Sequence, residues 1–189
     1  MSVLAPGRNI VLLGLMGAGK TAVGQLLAQR LGRPFTDTDG MVEARARMPV
    51  AEIFASEGER GFRRREGEAV RQASALRGQV IAVGGGAVLD PANVTHLRST
   101  GDLVWLAASV EALAQRIGDD PGPARPLLSA GGDVTQRLAL LKAEREAAYT
   151  AASSAVIDTD GKTPDDIAEA VLEWVRTRPG VLTKQELRA

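Results

Sequence analysis

No cysteine occurs among the 189 residues, which excludes disulfides, thiolate-held metal sites and a cysteine nucleophile. Net charge is also missing: 23 basic residues balance 23 acidic ones, so no global basic field draws nucleic acid or an anionic membrane. Lysine is scarce, 4 against 19 arginines, and the positive charge is therefore almost all guanidinium, the better group for bidentate capture of phosphate and carboxylate. No apolar run reaches the roughly 20 residues a membrane span needs. The first nine residues lack the charged-then-apolar pattern of a signal peptide, so a cytoplasmic location is expected, without membrane or nucleic-acid partners. Repeats and low-complexity tracts are absent. What remains, 44% hydrophobic and 24% charged, is ordinary for a globular protein, and the length fits one domain spanning 1–189 with its core at about 9–176.

The most informative segment present is Gly14-Leu15-Met16-Gly17-Ala18-Gly19-Lys20-Thr21, a complete G-x-x-x-x-G-K-[ST] phosphate loop directly behind the apolar run Ile10-Val11-Leu12-Leu13. A chain of this composition would produce roughly 0.005 such matches by accident. In such a loop the backbone N–H groups converge on phosphate oxygens, and the following helix adds the partial positive charge of its N-terminus. Lys20 would reach the β- and γ-phosphates of a nucleotide, and the Thr21 hydroxyl would hold Mg²⁺.

Short apolar runs alternate with longer amphipathic ones, which predicts βαβ units around a parallel sheet. Strands are expected at 9–13, 35–37, 79–83, 102–107 and 155–157. Helices are expected at 20–31, 40–45, 50–57, 59–76, 91–98, 110–117, 134–152 and 164–176. The last has a well-formed start: Thr163 can cap it, Pro164 suits its first position, and Asp165 and Asp166 complement its dipole. Residues 118–133, rich in Gly, Pro and Asp, read as a mobile lid. Residues 177–189 carry no strong pattern and receive no role.

Several further segments bear chemistry. Asp37-Thr38-Asp39 ends the second strand, and ligands of open parallel sheets bind beyond the carboxyl ends of strands. Alone such a pair is usually a solvated turn; after a phosphate loop, a functional pair, one carboxylate in the Mg²⁺ sphere and one facing the acceptor, stands even with that reading. The charge run from Glu59 to Glu66 is either a solvated face or, with Phe62 beside Arg63, an arginine leaning over apolar surface into a cleft. Glu66, three residues on, shares its face and would hold the guanidinium. Gly84-Gly85-Gly86 costs chain entropy that a plain turn does not require, which favours close approach of a ligand. Arg125 in the lid and Arg145 on the next helix complete the set. A lid arginine swinging onto the nucleotide would neutralise transition-state charge and exclude water.

In order and spacing these segments resemble the shikimate kinases, small P-loop enzymes of the nucleoside-monophosphate-kinase class. The matching pieces are the phosphate loop, Phe35-x-Asp37-x-Asp39, Ile53-Phe54-x-x-x-Gly58-Glu59-x-x-Phe62-Arg63-x-x-Glu66, Gly84-Gly85-Gly86, Arg125-Pro126-Leu127-Leu128 and Arg145-x-x-x-Tyr149. The resemblance implies a three-layer α/β/α P-loop fold with a five-stranded parallel sheet, substrate-binding helices and a lid. It implies ATP held by Gly14, Gly17, Ala18, Gly19, Lys20, Thr21 and Ala22, with Arg125 on the phosphates, and Arg116 and the loop up to Pro164 facing adenine. Mg²⁺ would be held by Thr21 directly and by Asp37 through water. Asp39, Phe62, Arg63, Gly84, Gly85, Gly86 and Arg145 would bind shikimate, with Arg63 and Arg145 on its carboxylate, Phe62 and Val50 on its apolar side and Asp39 orienting the attacked hydroxyl. Lys20, Asp39 and Arg125 would be catalytic. The stretch between Arg116 and Arg125 is a residue or two longer than in relatives, and Pro121 and Pro123 stiffen it, which bears on lid kinetics and not on chemistry.

The implied reaction moves the γ-phosphoryl group of ATP to the 3-hydroxyl of shikimate, a step of aromatic amino acid biosynthesis, in a monomer. Two alternatives stand beside it: a kinase of another small acid such as gluconate, also a polyhydroxy carboxylate, and a non-catalytic module that binds ATP as a regulatory ligand. A nucleoside-monophosphate kinase is disfavoured because the acceptor side lacks an evident base-binding element.

Overall fold

The computed structural model describes residues 7–119 and 133–188. Five strands form one parallel sheet in the order β2-β3-β1-β4-β5: β1 (Asn9–Leu13), β2 (Phe35–Asp37), β3 (Val80–Ala82), β4 (Gly101–Ala107) and β5 (Ala155–Asp158). Between and after them run α1 (Lys20–Leu31), α2 (Thr38–Ala46), α3 (Val50–Ser74), α4 (Pro91–Thr100), α5 (Val110–Asp119), α6 (Val134–Ala152) and α7 (Pro164–Arg176). The central strands β1 and β3 are buried along their whole length, as strands covered on both faces must be, whereas β5 at one edge alternates between half-buried and exposed. Pairing Ile10 with Val80 on one side and Asp102 on the other sets the register that aligns the carboxyl ends. With this strand order, the right-handed crossover rule puts α1 on one face and α3, α4 and the α5–α6 pair on the other, and α3 packs on α4 and α5 on α6. α7 returns to pack along α1, which completes three layers.

A second, smaller apolar cluster lies off the main core. Val42 of α2 meets Ile53, Phe62 and Ala69 of α3, flanked by Met41, Val50 and Phe54. It supports the segment between β2 and β3, on the acceptor side of the cleft.

The expected elements are all present, with informative differences at their ends. α2 starts at Thr38 instead of 40, because the Asp37 side chain caps it by accepting from the N–H groups of Asp39 and Gly40. The two helices expected at 50–57 and 59–76 are the two halves of α3, which breaks at Gly58 (φ 67°, ψ −179°) and ends at Ser74. That conformation is open essentially to glycine alone. Glu57 takes three contacts of 2.6–3.1 Å from the Arg65 guanidinium across the break, fixing its angle. α5 runs on to Asp119, so the segment expected to loop from 118 begins as helix, and Asp133 at its other end caps α6. The remainder of the expected lid, with Pro121, Pro123 and Arg125, lies outside the described residues.

Of the 177–189 segment, assigned no role from sequence, the described residues 177–188 pack against the body. Val181 and Leu182 join the main core, and Arg33, itself 3% exposed at the side chain, pairs with Glu186 at 2.6 Å and donates to Val181 O at 2.6 Å. The last turn is thus tied to the chain just before β2.

Candidate active site

The phosphate loop, Asp37-Thr38-Asp39 and the 84–86 turn follow the carboxyl ends of β1, β2 and β3, while Phe62, Arg63 and Glu66 come from α3, Arg116 from α5 and Arg145 from α6. Gly14, Gly17 and Gly19 bend the loop after β1 with φ of 146°, 81° and 86°. A Cβ on Gly14 would stand 2.7 Å from Leu106 O, so the loop lies against β4 as closely as glycine permits. Gly19 caps α1 without any side-chain hydrogen bond, leaving the first-turn N–H groups near Ala22 for an anion. Ala18 is buried, and its N–H donates to Leu15 O at 3.2 Å, closing the loop on itself. Lys20 Nζ donates to Gly14 O at 2.8 Å and Leu15 O at 3.0 Å, which holds the ammonium over the mouth of the same loop.

Thr21 Oγ1 donates to Asp37 Oδ2 at 3.1 Å, while the other oxygen of Asp37 caps α2. A hydroxyl and a carboxylate side by side are hard oxygen donors, the set expected where Mg²⁺ takes few protein ligands and completes its shell from water and substrate phosphate. Among the described residues no group of three or more His, Cys, Asp or Glu could hold a metal, so an all-protein cage is not offered. The donors present therefore fit nucleotide-bound Mg²⁺.

Asp39 is partly buried, and its Oδ1 has no hydrogen-bond partner. Burial, then the nearby carboxylates of Glu66 and Asp37, raise its pKa to about 6, with Lys20 and Arg63 opposing. Glu66 is 1% exposed; burial pushes its carboxyl up, and the 2.8 Å pair with Arg63 Nη1 only partly offsets this. Gly84 separates the two acids: a Cβ there would run into Glu66 Oε1 and stand 2.7 Å from Asp39 Oδ1. Its own N–H donates to the buried Thr38 hydroxyl at 3.1 Å, tying the glycine turn to α2.

Arg63 lies over the Phe62 ring, 5.4 Å from its centroid, and Phe62 packs on Phe54 at 4.6 Å, so the arginine does lean over apolar surface. Glu59 holds the same guanidinium at 3.1 Å from its outer side. A Cβ on Gly86 would overlap that guanidinium, so glycine leaves the space Arg63 occupies here. A recess of about 230 Å³ opens beside Arg63, Glu66 and Gly86, closed by Leu89, Asp90 and Asn93. Arg145 reaches the same turn from α6, with Nη1 3.4 Å from the position of a Gly85 Cβ. Asp39, Glu66, Arg145 and Arg63, far apart in sequence, are therefore gathered around the 84–86 turn, which lies against Gly14 of the phosphate loop.

Arg116 bridges to the phosphate loop, donating to Gly17 O at 3.4 Å, and to Thr159 Oγ1 at 3.1 Å and Thr159 O at 2.5 Å. Pro164 opens α7 and is exposed. Arg125 lies outside the described residues. Sequence reasoning passed over Thr38 and Thr159, both fully buried, because a lone threonine carries no pattern. Tyr149 entered only as part of a motif, although its position four residues after Arg145 was a usable signal.

With this geometry in place, comparison with known proteins is direct. A family model described as shikimate kinase matches residues 16–176. A shikimate kinase of Symbiobacterium thermophilum is 52% identical over 170 residues, covering 90% of this chain and 97% of the relative. The structure of shikimate kinase from Acinetobacter baumannii in complex with shikimate superposes with a TM-score of 0.85 at 36% identity, covering 90% of this chain and 93% of the other. A gluconokinase from Sinorhizobium meliloti, at 18% identity, TM-score 0.54 and coverage of 89% and 90%, shares the fold alone.

Proposed function

The chain belongs to the shikimate kinase family, and on that premise we propose how its residues divide the transfer of the γ-phosphoryl group of ATP to the 3-hydroxyl of shikimate. The whole chain acts as one kinase domain. The observation that supports the reading is the gathering of Asp39, Arg63 and Arg145 around the 84–86 turn, whose Gly85 lies against Gly14 O of the phosphate loop.

ATP lies with its phosphates on the loop N–H groups from Gly14 to Ala22 and its base between Arg116 and the segment ending at Pro164. Thr21 directly and Asp37 through water would hold Mg²⁺, which would supply charge neutralisation at the phosphates when bound. Lys20 leaves the loop carbonyls for the β- and γ-phosphates; Arg125, to which the resemblance gives a role on the same phosphates, lies outside the described residues. Arg63 and Arg145 take the shikimate carboxylate, Gly85 and Gly86 offer N–H groups to ring hydroxyls, and Phe62 with Val50 covers the apolar side. Gly84 keeps space between Asp39 and Glu66. Asp39, ionised, orients the 3-hydroxyl and accepts its proton late in the transfer. Phosphoryl transfer needs little covalent help, so positioning and charge provide most of the rate.

We further propose a cytoplasmic monomer. Support comes from the exposed large apolar residues, of which only Val134 and Leu140 share an element, α6, while Leu76, Leu89, Val156 and Leu187 lie elsewhere; no helix of the described residues is long and apolar enough to cross a membrane.

A coupled assay of ADP release tests the reading: turnover with ATP and shikimate is expected, and Arg63→Ala is expected to raise the shikimate KM while leaving the ATP KM in place. Normal shikimate binding by Arg63→Ala in calorimetry would remove the carboxylate clamp.

A further inference from the structure

Tyr149 is the only tyrosine of the chain, and the transfer scheme above does not use it. It stands on α6 four residues after Arg145, so both side chains leave the same helix face. The side chain is fully buried and stacks on Trp105 of β4, with centroids 5.4 Å apart and 21° between planes. A buried phenol usually finds a partner for its hydroxyl. Here Oη donates to the Gly85 carbonyl at 2.5 Å. Burial pushes the phenol up to about 12, so it stays a donor across the neutral range.

That one bond constrains more than the carbonyl. The peptide between Gly85 and Gly86 is planar and trans, so its C=O and N–H point in opposite directions. Anchoring Gly85 O on α6 turns the Gly86 N–H away from α6. Glycines lack the Cβ that would restrict rotation, so the 84–86 turn has little stiffness of its own. Three elements meet at Gly85: a Cβ there would lie 3.3 Å from Gly14 O of the phosphate loop, 3.4 Å from Arg145 Nη1 and 3.6 Å from Tyr149 Oη. Arg145 is buried, with no hydrogen-bond partner for Nε, and its guanidinium interacts with the Tyr149 hydroxyl, so the phenol bears on the arginine directly as well as through the turn.

We propose that Tyr149 is a positioning residue for the acceptor: by tying the Gly85 carbonyl to α6, it holds the Gly86 N–H and the Arg145 guanidinium in one register toward the organic acid. This rests on the reading above, in which that turn and Arg145 bind the acceptor. The phenol touches neither substrate; its effect passes through the glycine peptide and the arginine beside it.

Tyr149→Phe tests this with the least disturbance, since it keeps the ring against Trp105 and removes one oxygen. Loss of a neutral hydrogen bond predicts a shikimate KM raised about five- to tenfold, with kcat and the ATP KM within about twofold of wild type. Calorimetric affinity for shikimate should weaken by the same factor. Arg145→Ala is measured alongside. If it weakens shikimate binding and Tyr149→Phe does not, the positioning role is wrong and the acceptor pocket stands. If neither does, both fall. Equal weakening toward ATP and shikimate with a lowered Tm would show a general packing role and overturn the proposal.

Discussion

Asp39 sits where ionisation is costly, since burial and two neighbouring carboxylates act against it, and its pKa rises from 3.8 to about 6. A residue that must be ionised to accept a proton then limits the enzyme on the acid side. The kcat/KM for shikimate should fall tenfold per unit below about pH 6, because this ratio reports the free enzyme. Glu66→Gln removes one of the raising charges, and the acid limb should move to lower pH. An unmoved limb in that variant would assign it to another group. The shift also bears on stability: the native state holds the Asp39 proton more tightly than the unfolded chain, so its contribution is full below pH 3.8 and is lost as pH rises through about 6. At pH 7 the charged group therefore costs the fold, and Asp39→Asn should be more stable by ~2–3 kcal/mol in thermal melts while losing most of its turnover. Lys20 is held over the phosphate loop by two carbonyls, at 2.8 and 3.0 Å. Lys20→Ala should lower kcat by ~10²–10³, the usual cost of removing one preorganised charge donor.

At the scale of elements, the break in α3 aims the second half of that helix so that Phe62, Arg63 and Glu66 face the pocket. Gly58 adopts φ 67°, ψ −179° with nothing within 4 Å of where a Cβ would stand, so the constraint is the backbone itself. Gly58→Ala should cost ~1–3 kcal/mol and raise the shikimate KM, because straightening the kink moves Arg63. The last turn of the chain behaves differently. Burial pushes Glu186 up, but hydrogen bonds from Arg33 and Thr183 outweigh it and hold its carboxyl below 4.5. Its stabilisation is therefore present above pH 4.5 and lost as pH falls through the lowered value. Glu186→Ala leaves the buried Arg33 without its partner and should cost ~3 kcal/mol, a fall of roughly 6–12 °C in Tm, with both KM values unchanged. Altered KM values would mean that this segment reaches the cleft.

Across the whole molecule, the parallel sheet aligns the ends of β1, β2 and β3, so that a phosphate loop, an Asp-x-Asp and a glycine turn from residues 14 to 86 share one crevice. With both acids available, ADP release should occur with shikimate and not with gluconate. The proposed two-arginine clamp would fit either carboxylate, so the discrimination would fall to the apolar side formed by Phe62 and Val50 and to the close glycine backbone.

Local chemistry was legible in the sequence. The phosphate loop, the strand and helix periods, the kink at Gly58 and the capped start of α7 depend on residues within one or two turns of each other, and such preferences survive folding. The side-chain pairs that make the pocket span tens of residues. Nothing in the chain's order brings Tyr149 to Gly85, Thr159 to Arg116 or Glu186 to Arg33; contact across the packed layers does. Burial is likewise a property of the assembled layers, so the raised acid of Asp39 belongs to the tertiary structure, while the presence of a carboxylate at that strand end belongs to the sequence.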